Sequence, residues 1–170
     1  MSDGAPGRGS FSQGGAEPIH ILFVDDDPIV REFATVHLVE EQVRVSLADD
    51  GDTALDMIDA DAPDIILLDL EMPRMDGFEV LTRLGAQPHT RRLPVIVVTG
   101  REDTAAIDRA YESGAASFLV KPINWRLLSH QIRYVRRASR VETALASLSR
   151  SRQEENAART QVRRLAEGGA

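Results

Sequence analysis

An α/β fold built on a five-stranded parallel sheet is predicted by three features of this 170-residue sequence. Five short apolar runs alternate with five segments of helical spacing. Two of the runs, 65–68 and 95–98, are continuously apolar, as strands covered on both faces are. Chemically active side chains gather where the runs end, at Asp25, Asp26, Asp69, Thr99 and Lys121.

Residues 1–17 are rich in Gly and Ser without periodicity and are expected to form a disordered leader. The first strand is Ile19 to Val24, stopped by three aspartates. Asp27 suits an N-cap and Pro28 the first helical turn, and Ile29, Phe33, Val36 and Val39 or Glu40 follow at roughly helical spacing. Val43 to Leu47 alternates, as an edge or half-buried strand does. Asp52 to Ala60 reads as a helix turning Ala54, Leu55 and Ile58 inward. Ile65 to Leu68 is a central strand, followed by turn residues from Pro73 to Gly77 and a helix carrying Phe78, Val80, Leu81 and Leu84. Val95 to Val98 is a second buried strand, followed by a helix from about Asp103 to Ser113 that ends at Gly114. Ser117 to Val120 is a third buried strand, and a helix opens near Asn124.

Such alternation implies right-handed crossovers and a sheet wrapped on both faces. Sheets of this kind bind ligands at the carboxyl ends of the strands, where the strand order reverses. The order 2-1-3-4-5 is that of flavodoxin-like sheets and is adopted here by analogy. It makes strands one and three neighbours, so that Asp25 and Asp26 meet Asp69.

Three carboxylates within a few ångströms cannot all stay ionised without a cation. An oxygen-only cluster selects a hard ion, so Mg²⁺ is the expected cofactor, with Mn²⁺ as a substitute. A carboxylate beside such an ion can attack phosphorus and form an acyl phosphate. Lys121 is the only lysine among twenty basic residues, the rest being arginine. Its compact ammonium, with the Thr99 hydroxyl, would neutralise the oxygens of a transferring phosphoryl group. Gly100 leaves the backbone uncovered for close approach. Pro122 would fix the turn that holds Lys121, and Lys121–Pro122 is the candidate cis peptide bond. Each residue has a plainer reading alone: cap region, loop acid, strand end, surface charge. Their coincidence at strand ends is what favours a phosphoryl site.

The stretches Ile-Leu-Phe-Val-Asp-Asp-Asp-Pro (21–28), Leu-Leu-Asp-Leu-Glu-Met-Pro-Arg-Met-Asp-Gly (67–77), Val-Val-Thr-Gly (97–100) and Gly-Ala-Ala-Ser-Phe-Leu-Val-Lys-Pro (114–122) resemble the receiver domain of two-component response regulators. The resemblance spans about residues 18–137. It implies that Asp69 is the phosphoacceptor, charged by a sensor histidine kinase or a phosphotransfer protein. It further implies that Asp26, Asp69 and the backbone carbonyl of Glu71 bind Mg²⁺ directly, with Asp25 acting mainly through water. Thr99 and Phe118 match the family's switch pair. Gly100 stands where Ala or Ser is usual. Glu71 and Arg101 flank the water path to the acceptor and are expected to pair, slowing loss of the phosphoryl group. Two other function classes compete. A haloacid-dehalogenase-like aspartyl-phosphate phosphatase would carry its nucleophile in an Asp-x-Asp motif on the first strand. A dimerisation module that is not phosphorylated would need no intact site.

Residues 1–124 hold 10 basic and 23 acidic side chains, whereas 125–170 hold 10 basic and 4 acidic ones. This asymmetry separates an acidic body from a basic tail. The tail's arginines lack interleaved aromatics, so nucleic acid is not an expected partner. No breaker interrupts the helical pattern between Asn124 and Gly168, and residues 138–170 read as a coiled-coil extension or linker. Ala138, Val141, Leu145 and Leu148 fit a and d positions, but Arg152, Glu155 and Arg159 precede Val162. A competing stripe runs through Ala144, Leu148, Ser151, Ala158, Val162 and Leu165. A parallel homodimer is the favoured reading. The run Val135 to Glu142 resembles connectors to sensory, cyclic-di-GMP or kinase output domains. None is present, which leaves open a piece of a longer regulator or a stand-alone receiver. With no cysteine, no apolar stretch of membrane-span length and no apolar signal segment, the expectation is a soluble, cytoplasmic protein.

Overall fold

The computed structural model describes residues 18–40 and 42–167, so the expected leader at 1–17 lies outside the described residues. Its elements alternate as β1 (Ile19–Val24), α1 (Pro28–Leu38), β2 (Val43–Ala48), α2 (Gly51–Ala60), β3 (Ile65–Leu68), α3 (Gly77–Ala86), β4 (Val95–Thr99), α4 (Thr104–Glu112), β5 (Ser117–Val120) and α5 (Trp125–Glu167). All strand pairs are parallel and the order is β2-β1-β3-β4-β5. The fold is therefore the flavodoxin-like one expected.

Alternation along the strands divides the core in two. Leu22, Val24, Ile66, Leu68, Val95 and Val97 face α2, α3 and α4. Ile21, Phe23, Ile65, Leu67, Ile96 and Val98 face α1 and α5, against Ala34, Leu38, Leu128, Ile132 and Val135. Because β3 contributes to both cores, its four residues are all fully buried. β5 departs from expectation: all four of its residues are only half-buried, because it closes an edge of the sheet.

Four helices open with an aspartate whose carboxylate accepts a backbone N–H of the first turn: Asp27 from Ile29, Asp50 from Thr53, Asp76 from Glu79 and Asp103 from Ala106. Such a cap satisfies one of the orphan donors of a helix N-terminus. Asn124 does the same for α5, accepting from Leu127 N.

The apolar row whose spacing marked α1 is not the row that packs. Ile29, Phe33, Val36 and Val39 are 50–69% exposed, and it is Ala34 and Leu38 that are buried, with Val30 packed beside them. The helix carries two apolar rows, and the small Ala34 lets its own row approach the sheet. The bulkier row consequently faces outward. Its Phe33 stacks on His37 at 6.0 Å, and His37 on Trp125 of α5 at 5.0 Å.

Past Val135, Ser139 and Ala146 stay half-buried against the body, and from Ser147 to Arg164 every residue is exposed. Among the described residues no helix is long and apolar enough to cross a membrane.

Gly77 holds the turn after β3 in place. A Cβ there would lie 2.3 Å from the Asp69 carbonyl oxygen and 2.8 Å from Leu70 Cα, both backbone atoms that cannot swing aside. We expect Gly77→Ala to cost about 3 kcal/mol in urea unfolding, at the upper end of overpacking costs. A loss below about 1 kcal/mol would show that the loop yields.

Candidate functional site

β1 and β3 are hydrogen-bonded neighbours, and the residue that follows each, Asp25 or Asp69, enters one crevice at the carboxyl edge of the sheet. Asp25 N donates to Ala48 O at 3.1 Å and Asp69 N to Val24 O at 2.9 Å, so both acids extend the ladder that fixes their backbones. Arg31 of α1 donates to the Asp25 carbonyl at 2.6 Å. Asp25 and Asp69 are 1% and 5% exposed, while Asp26 is open to solvent. One carboxylate oxygen from each of the three lies within 4.8 Å of the others. Asp27 stands apart as the cap of α1.

Lys121 arrives from the end of β5, where its N–H bonds the Thr99 carbonyl at 2.8 Å and its peptide bond to Pro122 is cis. The ammonium spans the crevice, donating to Asp25 Oδ2 at 2.7 Å and to Asp69 Oδ2 at 2.9 Å. Burial pushes the Asp25 carboxyl up, reinforced by the neighbouring Asp69 charge, and the Lys121 bonds only partly offset it. For Lys121, burial favours the neutral amine, but the bonds to Asp25 and Asp69 outweigh it and hold the ammonium above its ordinary value. The site is a cationic clasp across two buried carboxylates.

The remaining oxygens are also engaged. Asp69 Oδ1 accepts from Glu71 N at 3.1 Å, and Asp25 Oδ1 from Asp27 N at 2.9 Å. Thr99 is fully buried at the end of β4, its hydroxyl receiving Arg101 N at 3.4 Å. Phe118 pairs in register with Val97, two residues before Thr99, and packs half-buried on the same core face. A Cβ added at Gly100 would sit 3.5 Å from Glu71 Oε2, so the Glu71 carboxylate lies against this uncovered backbone.

The expected pairing of Glu71 with Arg101 is not made. Arg101 Nε instead donates to Asp103 Oδ2 at 3.1 Å. Asp103 is only two residues away and already fixed as the cap of α4, so this partner costs less ordering than Glu71 across the crevice. Another pair escaped the sequence reading. Arg74, in the turn after β3 with φ of 68°, is joined to the nearly buried Asp50 at the end of β2. The sequence reading gave Asp50 no role, and no spacing rule links it to Arg74.

The donor set fits a hard divalent cation: three carboxylates, oxygen ligands only, two of them desolvated. We expect Lys121→Ala to destabilise the metal-free protein by about 2 kcal/mol, because it leaves two neighbouring buried carboxylates uncompensated. Millimolar Mg²⁺ should then raise the Tm of Lys121→Ala more than that of wild type. Equal shifts in thermal denaturation would mean that the ion and the ammonium do not serve the same charges.

Residues 21–133 match the family model described as the response regulator receiver domain. Over 117 residues, covering 69% of this chain, the sequence is 43% identical to the response regulator PleD of Caulobacter vibrioides, of which this is 26%. Over 128 residues it is 37% identical to the transcriptional regulatory protein AfsQ1 of Streptomyces coelicolor, covering 75% of this chain and 56% of that protein. The chain thus spans about a quarter to somewhat over half the length of these relatives. Among solved structures, the chemotaxis protein CheY4 of Vibrio cholerae superposes with a TM-score of 0.66 at 28% identity, covering 69% of this chain and 98% of that one.

Proposed function

This chain belongs to the response regulator receiver family, and on that premise we propose that it is a Mg²⁺-dependent phosphorylation switch whose acceptor is Asp69. The observation that carries the proposal is the clasp of Lys121 over Asp25 and Asp69 at the point of strand-order reversal. An Asp69 carboxylate oxygen attacks the phosphorus of the donor, the bond to the donor's nitrogen or oxygen breaks, and an acyl phosphate forms. Lys121 exchanges a carboxylate for a phosphoryl oxygen, and the Thr99 hydroxyl donates to another. A divalent ion, held by Asp25, Asp26, Asp69 and the Glu71 carbonyl, would supply charge neutralisation for the phosphoryl oxygens. Phe118, on the same face as Thr99, is the side chain that answers movement of the hydroxyl.

The role is regulatory rather than that of a turnover enzyme. A phosphatase of the haloacid-dehalogenase kind would carry its nucleophile on β1, whereas the acceptor proposed here, Asp69, follows β3 in an Asp-Leu-Glu stretch. Receiver domains of response regulators interact with histidine kinases, and such a kinase or a phosphotransfer protein is the proposed donor. Its seat is the outward row of α1: Ile29 is 62%, Phe33 50% and Val36 69% exposed, beginning three residues after Asp26. Exposed apolar rows of this kind mark protein contact surfaces. The state of Asp69 is passed on through α5, whose exposed distal half pairs with a second copy. Output domains of the cyclic-di-GMP or kinase type in a longer parent fit that connector, and a cytoplasmic location fits the whole scheme.

Incubation with Mg²⁺ and acetyl phosphate should add one phosphoryl mass to wild type and none to Asp69→Asn. With beryllofluoride, light scattering should register a change in assembly in wild type alone. Multiple turnover of small phosphate esters would support the phosphatase, and the absence of both modification and turnover would support a module that is not phosphorylated. Separately, Val36→Glu should slow transfer from a phosphorylated donor protein at least about tenfold, by placing a charge in an apolar contact. Labelling by acetyl phosphate should be unchanged; equal loss from both donors would place the defect in the site.

A further inference from the structure

The distal half of α5 carries two incompatible apolar rows. Around an ideal helix, Ala138, Val141, Leu145 and Leu148 lie roughly 120° from the half-buried Ser139 and Ala146, which face the body of the same chain. Val141, Leu145 and Leu148 are 53–66% exposed, so this row has no cover among the described residues. Continued by heptads, it brings Arg152, Glu155 and Arg159 into the seam in three successive layers. The row that starts from Leu148 at the alternative phase brings in Ser151, Glu155, Ala158 and Val162.

We propose that α5 pairs in parallel with α5 of a second copy along a composite seam, which changes phase at Leu148. This rests on the dimeric reading above and specifies its geometry. Up to Leu148 the seam is Ala138, Val141, Leu145 and Leu148; the other phase would put Arg137 in the core. Beyond Leu148 it is Ser151, Glu155, Ala158 and Val162; holding the first phase would bury Arg152 and Arg159 opposite their own copies. Like charges facing each other across a seam are strongly disfavoured. The composite seam leaves one charged layer, Glu155, in place of three.

Flanking charges support both halves. In a parallel pair, a residue at g meets the partner's residue five positions on, at e. In the proximal phase, Arg137 meets the partner's Glu142. In the distal phase, Glu154 meets the partner's Arg159. Both couples are oppositely charged, and all four side chains are exposed. Antiparallel pairing would not bring these couples together. The steps from Leu145 to Leu148 and from Leu148 to Ser151 are each three residues, equivalent to a three-residue insertion in the heptad pattern. Such an insertion tightens the supercoil locally.

Because the chain has no cysteine, single-cysteine variants of the full chain read the seam without background. They would be oxidised in Mg²⁺ with and without beryllofluoride, with association followed by sedimentation equilibrium. Disulfide dimers are expected from Leu145→Cys, Leu148→Cys, Ser151→Cys and Ala158→Cys. Ala144→Cys, Arg152→Cys and Arg159→Cys should cross-link several-fold less. Strong linkage at 152 and 159 with weak linkage at 151 and 158 would overturn the phase change while keeping the dimer. Failure at Leu148, a seam position in both phases, together with monomers in sedimentation, would overturn the dimeric reading itself. Arg152→Leu offers a check free of disulfides. At the flank of a composite seam it should change the dimer Kd by less than about threefold, whereas in a continuous seam it removes a buried charge and tightens the dimer at least about tenfold. Tightening of that size would also overturn the proposal.

Discussion

Two buried carboxylates side by side, bridged by one ammonium, set the terms for this molecule. Asp25 and Asp69 are forced together by the sheet, since β1 and β3 are adjacent and both chains end at the same edge. Left alone they would repel, and burial would drive one of them to take up a proton. Lys121 resolves this from the far edge of the sheet, reaching across the end of β4. The surroundings preserve that arrangement. Arg31 pins the Asp25 carbonyl, Gly77 allows the turn after β3 to close on Asp69, and Thr99 supplies both a hydroxyl to the crevice and a carbonyl to the Lys121 backbone. A cation that relieves the same charges enters an environment already arranged for one.

Most of this was legible in the sequence because it depends on period and punctuation. The continuous run Ile65–Leu68 announced a strand buried on both faces, and the acids at strand ends announced an edge where they could meet. Asp27 could be told from Asp25 and Asp26 as a cap because Pro28 follows it. What escaped depends on the size of neighbours and on competition between partners. Helical spacing picked out the bulky row of α1, yet the helix packs through Ala34, because a small side chain permits close approach where Phe33 would not. Arg101 had two acids within reach, and spacing does not say that the one already fixed as a cap is the cheaper partner. Arg74 and Asp50 are far apart in the chain, and only the fold makes them a pair. β5 was read as buried from its composition, but burial of a strand is decided by its place in the sheet, which composition does not encode.

α5 joins the two halves of the molecule without a joint. Its first turns are core, with Leu128, Ile132 and Val135 buried, and from Ser147 to Arg164 its residues are exposed. Trp125, at the start of the helix, stacks on His37 of α1 and lies 6.4 Å from Phe23 of β1, two residues before Asp25. A rigid rod seated on the strand that carries an acid of the site has little freedom to respond except by rotating or shifting as a whole. The length of the helix is then a lever, about 65 Å at 1.5 Å per residue, on whatever small displacement begins in the crevice.

The clasp also has a chemical corollary. Lys121 carries the only side-chain amine in the sequence, and its side chain is 23% exposed while the ammonium is bonded to two carboxylates. An ammonium held in this way has no lone pair to offer, so a protein with a single lysine keeps that lysine in its least nucleophilic form. Amine-directed chemistry on the side chains would therefore fall on one atom, and only while the bridge stands open. The reactivity of that nitrogen becomes a direct measure of how often Asp25 and Asp69 are left to face each other alone.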